Sequence, residues 1–224
     1  MKQTQSGFTL IEIAIVLVII GLLLGGVVKG QELVNGAKVK NLASDFRNIP
    51  ILIYSYQDKF RAIPGDDSAV TSHLSGSTLA STPSNASGNG VLDGAWNSTT
   101  ATDESYLFWQ HVRLANLTTG PTATSSSDYL PKNASGGALG LQSGGTTNAP
   151  IKDASDAGIR GTYVICSSSI PGRFAKQLDT QLDDGNTAAG MMLATPTANY
   201  AAGNAATATA SIEDNTSYTV CMGV

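Results

Sequence analysis

The apolar residues of this chain are concentrated in one run near its start. From Phe8 to Val28, about 21 residues follow one another with Glu12 as the only charged side chain. At about 1.5 Å per residue, a helix of this length measures about 31 Å, which is enough to cross a bilayer. The pattern therefore predicts a single membrane-spanning helix.

The apolar positions that follow the run keep a helical period. Five of them recur at near-helical spacing with charged residues between them: Leu33, Ala37, Leu42, Phe46 and Ile49. This spacing predicts that the helix continues as an amphipathic segment as far as Phe60. Proline lacks a backbone donor and clashes with the preceding turn, so Pro50 is expected to kink the helix or to end its first part.

The rest of the chain alternates polar, glycine-rich stretches with short apolar ones. A helix is predicted over residues 104–117, with Asp103 as a candidate N-cap, and another over 175–182. Residues 136–145 have the composition of a flexible loop. Three stretches are predicted to be strands: 161–170, 190–194 and 217–222. The sequence thus predicts an α+β fold, in which a long N-terminal helix packs on a globular head with an antiparallel β-sheet.

Composition and charge narrow the possible functions. Only 13% of the residues are charged and the formal net charge is -4, so the chain lacks the basic footprint of a nucleic-acid binder. The sequence contains no phosphate-cradling glycine loop, no zinc-ligand spacing and no nucleophile paired with a base. His111, within the predicted 104–117 helix, is typical of packing rather than catalysis. We therefore expect no enzyme activity, no cofactor, no metal and no specific nucleic-acid partner.

Glu12 is unusual because it stands inside the apolar run. A charge in the hydrocarbon core costs roughly 2.5 to 3.5 kcal/mol on insertion scales, so such a residue usually marks a function and a partner. The alternative is that Glu12 lies close enough to the end of the span for its carboxylate to reach the headgroups.

The candidate cleavage site and the apolar run occur in the opposite order from those of a secretory signal. In such a signal the apolar core precedes a small-residue cleavage site and is removed. Here Ser6 and Gly7 come before the run, so a cut after Gly7 would remove a short polar leader and keep the apolar segment. Lys2 lies on the leader side, which tends to stay in the cytoplasm, so the bulk of the chain is expected to be exported.

Small residues inside the run are spaced for close helix packing. Gly21 and Gly25 are four residues apart, and glycines at that spacing let two helices approach closely in lipid. Both residues are therefore candidates for helix–helix assembly. The alternative is that they are ordinary glycines of a membrane helix.

The segment Gly7-Phe8-Thr9-Leu10-Ile11-Glu12, followed by the apolar run, resembles the cleavage and methylation signature of type IV prepilins and of the pseudopilins of type II secretion. The resemblance covers roughly the first 35 residues. It implies cleavage after Gly7 by a prepilin peptidase, N-methylation of Phe8 by the same class of enzyme, and assembly into a homo-oligomeric helical filament. Glu12 is then expected to pair with the new amine at Phe8 of a neighbouring subunit.

The resemblance also implies an organisation and a location. Residues 1–7 are the expected leader, 8–60 the transmembrane and assembly helix, and 61–224 the head. Before assembly the protein is expected to span the inner membrane once with its head in the periplasm, in contact with inner-membrane assembly machinery. The expected product is a type IV pilus subunit. The alternatives are a periplasmic pseudopilin and a membrane-anchored binding protein that never polymerises.

The two cysteines, Cys166 and Cys221, both fall in predicted strands. Because the expected compartment is oxidising, a disulfide between them is predicted, with inert buried thiols as the alternative.

Three acidic residues lie near the end of the predicted 175–182 helix: Asp179, Asp183 and Asp184. They could bind calcium, but a helix end followed by a turn at Gly185 is the favoured interpretation.

Overall fold

The computed structural model describes residues 9–83, 87–145 and 148–224. The chain divides into two compact units, of which the first ends at Lys40 and the second begins at Asn41. A single helix, α1 (Leu10–Phe60, 51 residues), contributes to both. The long N-terminal helix predicted from the sequence is therefore confirmed.

In the first unit, α1 exposes apolar side chains. Its most apolar 18-residue window has a mean hydropathy of 2.9, and none of that window is buried. By length and composition it is the one helix within the described ranges that is able to cross a membrane. The large apolar side chains exposed in this unit are Leu10, Ile11, Ile13, Ile15, Val16, Leu17, Val18, Ile19, Ile20, Leu22, Leu23, Leu24, Val27, Val28, Leu33 and Val34.

In the second unit, the remaining part of α1 buries one apolar face. Its large buried side chains follow a helical period: Leu42, Phe46, Ile49, Ile53 and Tyr56. Pro50 lies inside the helix, which continues for ten residues to Phe60, so Pro50 does not end it. Ile49 and Ile53 are buried on either side of the proline, and this packing stabilises helical geometry that propensity alone would not.

Two further helices precede the sheet. Helix α2 (Val70–His73) is a single turn, whereas α3 (Glu104–Leu114) is buried along nearly its whole length and ends three residues before the predicted boundary. Asp103 occupies the N-cap position of α3 but its side chain makes no capping bond. Its carboxylate instead accepts hydrogen bonds from the hydroxyls of Thr82 (2.5 Å) and Ser98 (2.6 Å). Asp103 therefore has the predicted N-cap position but does not cap the helix with its side chain, because its carboxylate binds these two hydroxyls instead.

His111 of α3 joins two loops of the head. Its Nδ1 accepts a hydrogen bond from the Gly65 N–H (2.9 Å), and its Nε2 lies 2.9 Å from the carbonyl oxygen of Thr78. Nε2 must therefore carry the proton, and the ring is neutral. Burial lowers the pKa of His111, which favours this neutral form. His111 acts in packing and hydrogen bonding.

The predicted antiparallel sheet is confirmed. Its four strands have the order β1 (Leu139–Ser143), β3 (Tyr163–Pro171), β6 (Ser217–Gly223) and β4 (Met192–Pro196), and every neighbouring pair is antiparallel. Two short strands, β2 (Ile151–Lys152) and β5 (Asn204–Ala205), pair in parallel beside it. Helix α4 (Gly172–Leu182) follows β3 in the chain.

Strand β1 corrects one prediction made from composition. Residues 136–145, expected to be a flexible loop, contain this strand, which pairs with β3. Gly140 lies against the backbone of Trp96, and a Cβ at this position would collide with the Trp96 carbonyl oxygen. The glycine at position 140 therefore permits a close approach of two backbones, as it often does in strands.

Cys166 and Cys221 form a disulfide in the middle of the sheet. They are direct cross-strand partners in β3 and β6, with a Cα–Cα distance of 4.1 Å. Both are fully buried in an apolar cluster that includes Trp96, Val164 and Leu193. The bridge ties the last strand of the chain to the centre of the head.

Candidate assembly site

The candidate assembly residues fall on the first turns of α1. Gly7 and Phe8, the predicted cleavage and methylation positions, lie outside the described residues. The described part begins at Thr9, the second residue after the predicted cut. The structure therefore describes Glu12, Gly21 and Gly25 among the predicted site residues of this segment.

Glu12 forms a capping box with Thr9. The Thr9 backbone N–H and hydroxyl both donate to Oε2 of Glu12, at 2.8 and 2.7 Å. The Glu12 backbone N–H in turn donates to the Thr9 hydroxyl at 3.3 Å. This reciprocal arrangement satisfies donors that the first turn of a helix leaves unpaired.

The capping role of Thr9 was not anticipated, although the sequence carries its signature. A Thr followed three residues later by Glu, just before an apolar run, is the pattern of a capping box. Glu12 therefore has a structural role within its own chain, in addition to any role between subunits.

Gly21 and Gly25 face open space within their own unit. Apart from the two adjacent residues and the backbone of the same helical turns, no atom of the described chain lies within 4 Å of the position that a Cβ would occupy at either glycine. Nothing within the described chain therefore requires glycine at these two positions, and glycine in a helix interior is destabilising by roughly 1 kcal/mol relative to alanine. A requirement for glycine here would have to come from contacts with another helix.

The head contains a second group of candidate residues, the acidic cluster of Asp179, Asp183 and Asp184. The predicted helix end is present, since α4 ends at Leu182 and Asp183 is its C-cap. Burial, together with the charges of Asp183 and Asp184, raises the pKa of Asp179 to about 7, while the N–H of Gly185 opposes this shift. The sequence alone showed the three acids but not that Asp179 is buried.

The chain matches the family model of the prokaryotic N-terminal methylation motif over residues 2–28. This interval contains all five candidate residues of the N-terminal segment: Gly7, Phe8, Glu12, Gly21 and Gly25. No curated protein and no solved structure matches the chain.

Proposed function

From the N-terminal methylation motif at residues 2–28, which is characteristic of the type IV pilin and pseudopilin family, we propose that this chain is the precursor of a structural subunit of a type IV pilus-like helical filament. Residues 1–7 are the leader, 8–60 the transmembrane and assembly helix, and 61–224 the head. The subunit acts through assembly and catalyses no reaction of its own.

The exposed apolar surface of α1 is the observation that carries this proposal. Leu10 is 93% exposed and Leu22 is 73% exposed, within a run of similar side chains. A soluble monomer rarely exposes an apolar surface of this extent. Lipid can cover it before assembly, and the equivalent helices of neighbouring subunits can cover it in a filament.

Processing prepares this helix for assembly. A prepilin peptidase cuts after Gly7 and methylates the new amine at Phe8. The amine then provides a positive charge for Glu12 of a neighbouring subunit, which turns a lone charge in an apolar surrounding into half of an ion pair. Gly21 and Gly25 allow the helices to pack closely.

Location follows from the direction of export. The precursor spans the inner membrane once, with the leader in the cytoplasm and the head in the periplasm. Inner-membrane assembly machinery then moves the subunit from the bilayer into the filament. The disulfide of the head is consistent with an oxidising compartment.

A pilus and a secretion pseudopilus differ in where the filament is found. Cells should be sheared, and the released material imaged by electron microscopy with an antibody against residues 61–224. Long labelled fibres are expected from wild-type cells and none from a strain without prepilin peptidase. Labelled protein confined to the periplasm, together with loss of protein secretion when this gene is deleted, would instead identify a pseudopilin.

Processing gives an independent prediction. The mature chain is expected to begin at Phe8 and to carry a methyl group on its amine, because the polar leader precedes the apolar run. Mass spectrometry of the N-terminal peptide from purified membranes measures both features, and the peptidase-deficient strain provides the unprocessed control. An intact Met1 in wild-type cells, or cleavage after Val28, would contradict the proposed function.

A further inference from the structure

Three carboxylates meet where α4 ends. Asp179 lies in the last turns of the helix, and Asp183 and Asp184 follow directly after it. One oxygen of each residue lies within 4.8 Å of the oxygens of the other two. The filament function makes no use of this cluster, which lies in the head.

Asp179 is the residue that requires an explanation. Its side chain is completely buried, and the nearby Gly185 N–H, which partly offsets the rise in its pKa, does not reach hydrogen-bond geometry with either carboxylate oxygen. Lys176, one turn earlier on α4, is engaged elsewhere, since its Nζ lies 2.6 Å from Asp214 Oδ1. Among the described residues, no salt bridge reaches the cluster. A buried carboxylate in this situation is strongly unfavourable unless a cation or a proton neutralises it.

Asp183 is held in a fixed position beside it. Its Oδ2 accepts hydrogen bonds from the backbone N–H groups of Met191 (2.6 Å) and Met192 (2.8 Å). Gly190 lies against the same carboxylate with a φ of 87°, and a Cβ there would collide with Oδ2. The loop before β4 thus fixes the Asp183 carboxylate near the Asp179 carboxylate.

The cluster is open to solvent at Asp184. Its side chain is exposed, and its Oδ1 accepts a hydrogen bond from the Asn186 N–H at 2.8 Å. An ion held by Asp179 and Asp183 could therefore be reached from solvent on this side. Water is able to complete its coordination there.

We propose that Asp179, Asp183 and Asp184 bind one calcium ion. Calcium takes six to eight oxygen ligands at about 2.3 to 2.6 Å, so oxygens on opposite sides of the ion lie about 4.6 to 5.2 Å apart. The three oxygens lie within 4.8 Å of one another, close enough to share one such ion. Magnesium usually keeps several waters and is bound through one or two carboxylates, so three converging carboxylates favour calcium. The bound ion supplies the positive charge that the surrounding protein does not offer to the buried Asp179 carboxylate.

Binding is tested on the full, processed chain in detergent. Calorimetric titration with CaCl2 is expected to give one ion per chain, with an affinity in the range of extracellular modules, about 10⁻⁴ to 10⁻³ M. At ten times the dissociation constant, calcium should raise the unfolding temperature by roughly 3 to 6 °C. An equal rise with MgCl2 would overturn the assignment to calcium.

Two variants separate a calcium site from an ordinary turn. Asp183→Asn keeps an oxygen for the Met191 and Met192 N–H groups but removes charge, and should weaken calcium binding about tenfold or more. The matched control is Asp153→Asn, because Asp153 Oδ1 likewise accepts two backbone hydrogen bonds, from Ser155 (2.8 Å) and Ala157 (2.9 Å). That control should bind calcium as the wild type does.

Asp179→Asn tests the buried residue directly. Without calcium, this variant should be at least as stable as the wild type, because it removes an unpartnered buried carboxyl. With calcium, its unfolding temperature should no longer rise. If the wild type shows no response to 10 mM CaCl2, or if Asp179→Asn keeps the full response, the proposal is wrong and Asp179 is a protonated carboxyl at a helix end.

Discussion

Glu12→Gln is expected to abolish filament formation while leaving the protein in the membrane. In the proposed filament, Glu12 pairs with the Phe8 amine of a neighbouring subunit. Removing one partner of a buried pair costs about 3 to 5 kcal/mol, which is roughly two to four orders of magnitude in the association constant of each contact. Sheared fibre yield, measured by immunoblot and electron microscopy, should fall below detection, and Glu12→Ala should behave in the same way.

The capping box makes a sharper comparison possible. Gln retains an oxygen that can accept the two hydrogen bonds from Thr9, so Glu12→Gln loses the charge but keeps the cap. Thr9→Ala keeps the charge of Glu12 but removes the Thr9 hydroxyl from the cap, which is expected to cost about 1 kcal/mol in helix stability. Filaments should therefore persist in Thr9→Ala.

An exposed ion pair on the same helix provides a second control. Glu32 pairs with Lys29 at 2.7 Å on an exposed face of α1. Glu32→Gln removes a carboxylate from the same unit without touching the capping box, and filaments should form normally. Normal filaments from Glu12→Gln, with their loss in Thr9→Ala, would show that Glu12 acts only as a helix cap.

Removal of the disulfide is expected to destabilise the head by about 4 kcal/mol. The bridge joins residues 55 apart in sequence, and the chain-entropy model gives about this value for a loop of that length. For the double variant Cys166→Ala, Cys221→Ala, the unfolding temperature should fall by roughly 8 to 16 °C. Thermal unfolding of the processed chain in detergent, followed by circular dichroism, measures the change.

Reducing the disulfide of the wild-type protein provides a control for the packing contacts that the alanine variant loses. Cys166 and Cys221 are both fully buried, so the alanine variant also loses contacts made by the sulfur atoms. Reduced wild-type protein keeps those atoms and loses only the cross-link. A similar fall in both samples would assign the effect to the bridge, whereas a reduced wild type within about 1 kcal/mol of the oxidised protein would contradict the prediction.

Much of the fold could be predicted because it depends on local pattern. The apolar run and the helical spacing of Leu42, Phe46 and Ile49 are properties of one continuous segment, and they predicted α1. The strands around Cys166 and Cys221 were likewise visible as β-branched, apolar stretches. Each of these features follows from the period of its own segment, so no knowledge of distant residues was needed.

The candidate assembly site was visible in sequence for the same reason. Glu12 is conspicuous because it interrupts an apolar run, and Gly21 and Gly25 share a spacing of four. Even the overlooked cap is a local pattern, since Thr9 and Glu12 are three residues apart. Local pattern does not predict the surface that a neighbouring subunit would present in the proposed filament.

The tertiary structure decided the features that depend on contacts between distant segments. Composition indicated a flexible loop at 136–145, but this segment contains a strand because it pairs with β3, and Gly140 lets its backbone lie close to Trp96. Asp103 has the sequence of a helix cap, yet Thr82 and Ser98 bind its carboxylate.

The acidic cluster shows the same division. By sequence, Asp179, Asp183 and Asp184 form an ordinary helix end, and a helix does end there. The burial of Asp179 depends on how α4 packs on the head, as does its position beside Asp183, whose carboxylate accepts a hydrogen bond from Met192 at the start of β4. A sequence determines the period and caps of each segment, whereas the burial of a charge depends on which segments surround it, because desolvation is a property of the packed structure.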